Sequence, residues 1–134
     1  MRGSTDVLEK VERVLRELAE ENTRFPIIVE GKNDRDALRR LGIGGEVIVV
    51  NGHHTLFGMC EQVSRKYRKV IVLTDWDRKG GQICHQLLQG LHSNGVKVDD
   101  YTRTVLSALS YGVIKDVESL PVFVEKLRMR AHRS

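Results

Sequence analysis

Apolar residues fall along this chain either at helical spacing or in short continuous runs, and the changes between the two mark out its elements. Between residues 5 and 22, Val7, Leu8, Val11, Val14, Leu15, Leu18 and Ala19 fall on one stripe at helical spacing, with Ser4 or Thr5 placed to act as N-cap. "FPIIVEG" reads as a short buried strand, in which Pro26 is tolerated because it opens the strand. "NDRDALRRLG" predicts a helix capped by Asn33, with acids in its first turn and a stop at Gly42. A second strand is expected in "GEVIVVNG", a helix in "TLFGMCEQVSRKY" and a third strand in "RKVIVLTD". The next helix puts Ile83, Cys84, Leu87, Leu88 and Leu91 on one face and ends near Gly95; a shorter strand follows in "GVKVDD". Two short helices are expected in "YTRTVLSALSYG" and "VESLPVFVEKLRMRAH".

Strand and helix alternate with short connections, which predicts an α/β fold: a mostly parallel sheet of about four strands with helices on both faces. The 134 residues suffice for one domain with a real core, and no repeat, low-complexity tract or linker divides them. Aromatic residues make up only 5%, which suits this class better than a small β-sandwich.

Cys60 and Cys84 have no CxxC pairing and no Cys/His ligand spacing around them, which argues against a disulfide framework or a zinc site and for a reducing, cytoplasmic setting. No uncharged apolar stretch is long enough to span a membrane, and the opening "MRGSTDV" lacks the apolar core of a signal peptide. The net charge of +4 is modest, but it is unevenly spread. Asp6, Glu9, Glu12, Glu17, Glu20 and Glu21 make the first helix acid-rich, whereas cations gather in "RKYRK" (65–69), "DRKG" (77–80) and the C-terminal "EKLRMRAHRS". Basic surface beside carboxylates points to a polyanionic partner such as DNA or RNA.

Those carboxylates cluster at strand ends. Two strands finish in acids, one in Glu30 and the other in Asp75, with Asp77 two residues on. In an extended backbone positions i and i+2 share a side, so Asp75 and Asp77 are expected together and Trp76 facing away, packed against a helix. Open α/β sheets bind ligands beyond the carboxyl ends of their strands. If the two strands are neighbours, Glu30, Asp75 and Asp77 converge. Like charges so placed repel, and a hard, oxygen-seeking cation such as Mg²⁺ relieves the repulsion. The plainer alternative is a polar strand end before a Gly-Gly turn, with one Asp capping the next helix.

The order "IIVEGKNDRDAL", then "VIVLTDWDRKG" about 45 residues later, resembles the two motifs of the TOPRIM domain, with Gly31, Gly52 and Gly80 as the accompanying glycines. That domain is shared by topoisomerases, bacterial-type primases, nucleases, recombination proteins and the enzymes that mature 5S ribosomal RNA. The resemblance covers roughly residues 24–107, leaving 1–23 as an N-terminal helix and 108–134 as a C-terminal helical extension. It is nearest to short stand-alone, primase-like or maturase-like forms. It implies a Rossmann-like fold and Mg²⁺-dependent chemistry on phosphodiesters, nuclease-like or phosphotransfer, with Mn²⁺ as a possible substitute. Glu30 matches the family's general acid/base or metal ligand, Asp75 and Asp77 its metal-binding pair, and Asp34 a secondary acid. Topoisomerases carry a third acid where this chain has Lys79. The alternative activity is that of a non-catalytic nucleic-acid-binding module, or a subunit of a repair or RNA-processing complex.

Lys32, Arg78 and Lys79 border the acids and are candidate phosphate contacts. His53 and His54 follow the second strand and are expected as an exposed loop pair. "EGKND" lacks the spacing and the hydroxyl of a P-loop. The DWD stretch also resembles haloacid-dehalogenase phosphatases, but those carry it on the first strand of a longer chain, with further catalytic residues downstream.

Overall fold

Alternation along two central strands sorts the whole core. Ile27 and Val29 of β1 (Ile27–Val29) join one apolar cluster with Ile71 of β3 (Lys69–Val72) and Leu73 just beyond it, while Ile28, Val70 and Val72 join the other. This is the two-residue period of a strand buried on both sides. Over the first face lie α1 (Ser4–Glu21), α2 (Lys32–Arg40), α5 (Tyr101–Leu109) and α6 (Leu120–Arg133); over the second lie α3 (Leu56–Lys66) and α4 (Arg78–Ser93). The computed structural model describes residues 3–133, so the extreme ends of the expected terminal segments, Met1, Arg2 and Ser134, lie outside the described residues.

With β2 (Val47–Val49) and β4 (Lys97–Asp99), the sheet has the order β2-β1-β3-β4 and every pairing is parallel. The expected α/β architecture with helices on both faces is the one observed. Ile27 sits opposite Val47 on one side and Ile71 on the other. From β1 the chain crosses by α2 to β2 at the sheet edge. It returns by α3 over the opposite face to β3, and α4 carries it outward to β4. The chain thus leaves β1 and β3 in opposite directions and over opposite faces. A crevice between their carboxyl ends is the binding position that such a switch of winding creates.

Helix starts differ from the expected ones. Gly3, not Ser4 or Thr5, is the N-cap of α1. α2 begins at Lys32 with Gly31 as N-cap rather than Asn33, because Asp34 reaches back to the Gly31 N–H at 3.0 Å and does the capping from inside the helix. Its stop is as read, since Gly42 takes φ +83° just past the C-cap Leu41.

The C-terminal residues share the core. Leu120, Phe123, Val124 and Leu127 of α6 are buried with Val11, Val14, Leu15 and Leu18 of α1, the stripe read from the sequence. The 110–119 stretch that leads into α6 passes over the carboxyl ends of the strands.

Candidate metal and phosphate site

The β1–β3 ladder ends in a rung made by a side chain. The Ile71 N–H donates to Pro26 O at 2.9 Å and the Leu73 N–H to Ile28 O at 2.8 Å. The next donor towards β1 is the Asp75 N–H, and the acceptor due there is the Glu30 carbonyl. That carbonyl is turned instead to the Asn51 N–H at 3.0 Å. The Glu30 carboxylate takes its place, with Oε2 accepting from Asp75 N at 2.8 Å. Adjacency of the two acid-tipped strands therefore brings Glu30 directly onto the Asp75 backbone.

Asp75 is held from several directions. Its Oδ1 accepts the Val117 N–H at 3.0 Å. Arg103 of α5 donates through Nε to Thr74 O at 3.0 Å and through Nη2 to Asp75 O at 2.8 Å. The buried Thr74 hydroxyl donates to Gly80 O at 2.9 Å. Gly80 itself has to lack a side chain, because a Cβ there would lie 1.9 Å from Asp75 O. Trp76 turns away and packs against the larger core cluster; its indole N–H donates to Ser110 Oγ at 3.1 Å and Ile114 O at 3.0 Å.

Asp77 goes elsewhere. The strand ends at Val72, so the two-residue period does not carry through to residue 77. Asp77 is exposed and N-caps α4, its Oδ1 accepting the Gly80 N–H at 2.7 Å. This matches the plainer reading of the motif for Asp77, though not for Asp75. Arg78 and Lys79 are exposed in the first turn of α4, outside the lining of the acidic cleft, whereas Lys32 is part of that lining.

The cleft, about 610 Å³, is lined by Glu30, Lys32, Asp34, Asn51, Asp75 and Glu118 among others. Its electrostatics follow from burial first and from the crowding of acids second. Burial pushes the Asp75 carboxyl up from 3.8 to about 7; the Val117 N–H opposes this, and the charges of Asp34, Glu30 and Asp116 add to it. Asp34 is 7% exposed. Its pKa is also raised, by burial first and then by Glu30, Glu118 and Asp116, against the lowering effect of the Gly31 N–H.

Asp116 and Glu118 are absent from the sequence reading. They form a D-x-E pair ahead of α6, some forty residues past the DWD stretch, and the only signal for them was that second pair of acids close to a helix start. Asp116 caps the turn into α6, accepting the Ser119 N–H at 2.8 Å. Arg103 was missed for the same reason: only tertiary packing brings it to Asp75. His53 and His54 are exposed beyond the cleft-lining Asn51 and Gly52.

Among the described residues no three His, Cys, Asp or Glu side chains are disposed to hold one ion between them. Mg²⁺ does not require three. It is commonly held by one or two carboxylates, keeping water and substrate phosphate in its other positions. A pair formed by Glu30 and Asp75, with Asp34 in the same cleft, fits that donor set, and a cation there would offset both the burial and the neighbouring negative charge that raise the Asp75 and Asp34 pKa values.

Comparison with known proteins agrees with the geometry. Residues 25–103 match the family described as Toprim domain. A UPF0292 protein of Methanosarcina barkeri is 42% identical over 124 residues, covering 92% of this chain and 86% of its own length. One from Thermoplasma volcanium is 37% identical over 113 residues, covering 84% and 93%. A solved structure of a protein from Aquifex aeolicus superimposes with a TM-score of 0.70 at 31% identity, covering 80% of this chain and 94% of that one.

Proposed function

The chain belongs to the Toprim domain family, whose members carry out metal-dependent work on nucleic acids, and from that premise we propose that its acidic cleft binds Mg²⁺ and acts on a phosphodiester of DNA or RNA. The observation that carries this reading is the Glu30–Asp75 contact at the switch point of the sheet, in a crevice where burial and neighbouring acids raise the Asp75 pKa to about 7. A carboxylate in a cleft, strongly shifted by burial and specific charged neighbours, is a functional-site candidate.

Glu30 and Asp75 would hold the ion, and Asp34 would support them from behind. The bound ion would act as a Lewis acid on a phosphoryl oxygen. Lys32, exposed on the cleft wall, receives a phosphate oxygen. Glu30 uses Oε2 for the Asp75 N–H, and no hydrogen bond to Oε1 is formed among the described residues. That second oxygen is available to the ion or to a proton from an attacking water or hydroxyl, the metal-ligand or general acid/base role. Arg103 and the Val117 N–H fix the Asp75 backbone and side chain, so that the carboxylate needs little rearrangement on loading. The α4 cations Arg78 and Lys79, exposed outside the cleft lining, would meet a phosphate on the α4 side.

A second reading, a module that docks phosphates without cleaving them, is favoured by one feature: Asp77 spends a carboxylate oxygen on capping α4, leaving fewer acids for an ion than the DxD motif implies. Incubating labelled single- and double-stranded DNA and RNA with Mg²⁺ or Mn²⁺ separates the two. Metal-dependent cleavage or transfer, abolished in Glu30→Gln, supports the enzyme. Metal-dependent binding with no product in any arm supports the module. Neither binding nor turnover overturns both.

A further inference from the structure

A groove at the far end of α2 carries arginines that the acidic cleft does not use. It lies between α1, α2 and α6, has a volume of about 440 Å³, and is floored by Leu15, Leu41 and Val124. Arg16, Arg40 and Arg128 stand around it. Glu12 holds Arg128, accepting from Nε at 3.1 Å and Nη2 at 2.9 Å. Among the described residues no carboxylate forms an ion pair with Arg16 or Arg40. The groove is thus net positive with Glu12 included, and its floor is apolar.

α2 joins this groove to the cleft. Lys32, its first residue, lines the cleft; Arg40, its last, lines the groove. Lys32, Arg35 and Arg39 follow at i, i+3 and i+7, on the side opposite the buried Asp34, Ala37 and Leu38. Asp36 is the acid on the outer side, and Arg39 is folded onto the carbonyls of Ile43 and Gly45 at 2.9 and 2.7 Å. α6 runs alongside: Glu118, just ahead of it, lines the cleft, and Val124 and Arg128 line the groove. The nine residues of α2 rise roughly 13 Å. That exceeds a Debye length of about 8 Å at physiological salt, so the groove arginines have little influence on an ion in the cleft.

We propose that a polynucleotide engaged at the acidic cleft continues along the outer face of α2 and seats backbone phosphates on Arg16, Arg40 and Arg128. This rests on the nucleic-acid reading of the cleft and extends it to the path of the strand. A guanidinium takes a phosphate through two parallel hydrogen bonds, which a lysine cannot do. The apolar floor suits a sugar or a base face, and a ligand spanning both sites has to be a linear polyanion. Contacts of this kind set register without reading sequence, and they are salt-dependent.

The test compares two double variants that remove the same charge. Arg16→Gln with Arg40→Gln empties the groove of two cations and leaves the Glu12–Arg128 pair intact. Arg65→Gln with Arg68→Gln removes two exposed cations between α3 and the amino end of β3, the end of the sheet opposite the cleft, so the fold sets this part of "RKYRK" apart from the proposed path. Binding of a labelled dinucleotide and of a single strand of about twelve nucleotides is followed by anisotropy, with Mg²⁺, across a salt series. For the longer strand the groove variant should lose about tenfold in affinity, and its salt slope should fall by about 1.4, at 0.7 per phosphate contact. Its dinucleotide binding and its Mg²⁺-induced melting shift should match the wild type. If the groove variant is indistinguishable from the α3 variant on the longer strand, the proposed path is wrong while the cleft reading stands. If the wild type binds neither ligand, the cleft reading fails and this inference falls with it.

Discussion

Glu30 Oε2 accepts the Asp75 N–H at 2.8 Å, so one strand-end acid is a backbone partner of the other before any ligand is considered. The contact ties the residue after β1 to the chain just past β3. It also separates two roles that a single substitution can confuse. Glu30→Gln retains an oxygen acceptor and should melt within about 0.5 kcal/mol of the wild type while losing all turnover. Glu30→Ala leaves a part-buried N–H unpaired and should cost about 1–2 kcal/mol as well. Chemical denaturation alongside the cleavage assay distinguishes them. Equal destabilisation by both variants would rule out the side-chain rung.

The raised Asp75 pKa makes stability depend on pH in a stated direction. In the unfolded chain the carboxyl ionises near 3.8, and in the fold near 7. Between those values the native state retains a proton that the unfolded state has released, so the Asp75 contribution to stability is fullest below about pH 4 and falls as pH rises towards 7. Asp34, shifted in the same direction, adds to the slope. Without divalent ions, Asp75→Asn should flatten the decline and raise the melting temperature at pH 8. Adding Mg²⁺ to the wild type should reverse the trend at pH 7–8, because an ion bound only by the native state stabilises it by mass action, and binding should release protons. Calorimetry in two buffers of different ionisation enthalpy reads that release directly.

Much of this site was legible before folding was considered. The continuous apolar runs in "PIIV" and "KVIV" marked the strands, and the rule for strand ends in open sheets then placed Glu30 and Asp75 in one crevice. The reading failed where a local rule was carried past its element. Asp77 was expected beside Asp75 because strands alternate, but β3 stops at Val72 and the chain turns into α4. Asn33 was expected to cap α2, yet Asp34 does so from one residue further on. Arg103, Asp116 and Glu118 could not be reached by pattern at all, since nothing near them in sequence shows that α5 and the turn before α6 pass over the strand ends.

Two adjacent glycines should respond in opposite ways. At Gly80 a Cβ would lie 1.9 Å from Asp75 O and 2.5 Å from its carbonyl carbon, atoms of a backbone fixed by Arg103 and Glu30. Gly80→Ala should therefore destabilise by about 3 kcal/mol or more and remove the Mg²⁺ response. At Gly81 the nearest atom is Arg103 Nη2 at 3.8 Å, ordinary contact. Gly81→Ala should stabilise α4 by up to about 1 kcal/mol. Urea titrations with and without Mg²⁺ test both. A Gly80→Ala protein with wild-type stability would show that the Asp75 turn is not held as tightly as its hydrogen bonds indicate.

Asp77 can be tested for the role it has in the fold against the role the motif assigns it. As the cap of α4, its carboxylate accepts the Gly80 N–H at 2.7 Å, a task that an asparagine side chain performs equally well. Asp77→Asn should therefore melt close to the wild type, and Asp77→Ala about 1 kcal/mol lower. Metal binding gives an independent readout. If Asp75 and Glu30 hold the ion, Asp75→Asn should remove most of the Mg²⁺-induced melting shift. Asp77→Asn should keep most of it, because the charge it removes is exposed. Cleavage should then fall less in Asp77→Asn than in Asp75→Asn, since the Asp77 carboxylate is engaged in capping α4. A Mg²⁺ response lost equally in the two variants would put Asp77 back among the ligands, and α4 would need another cap when the ion is bound.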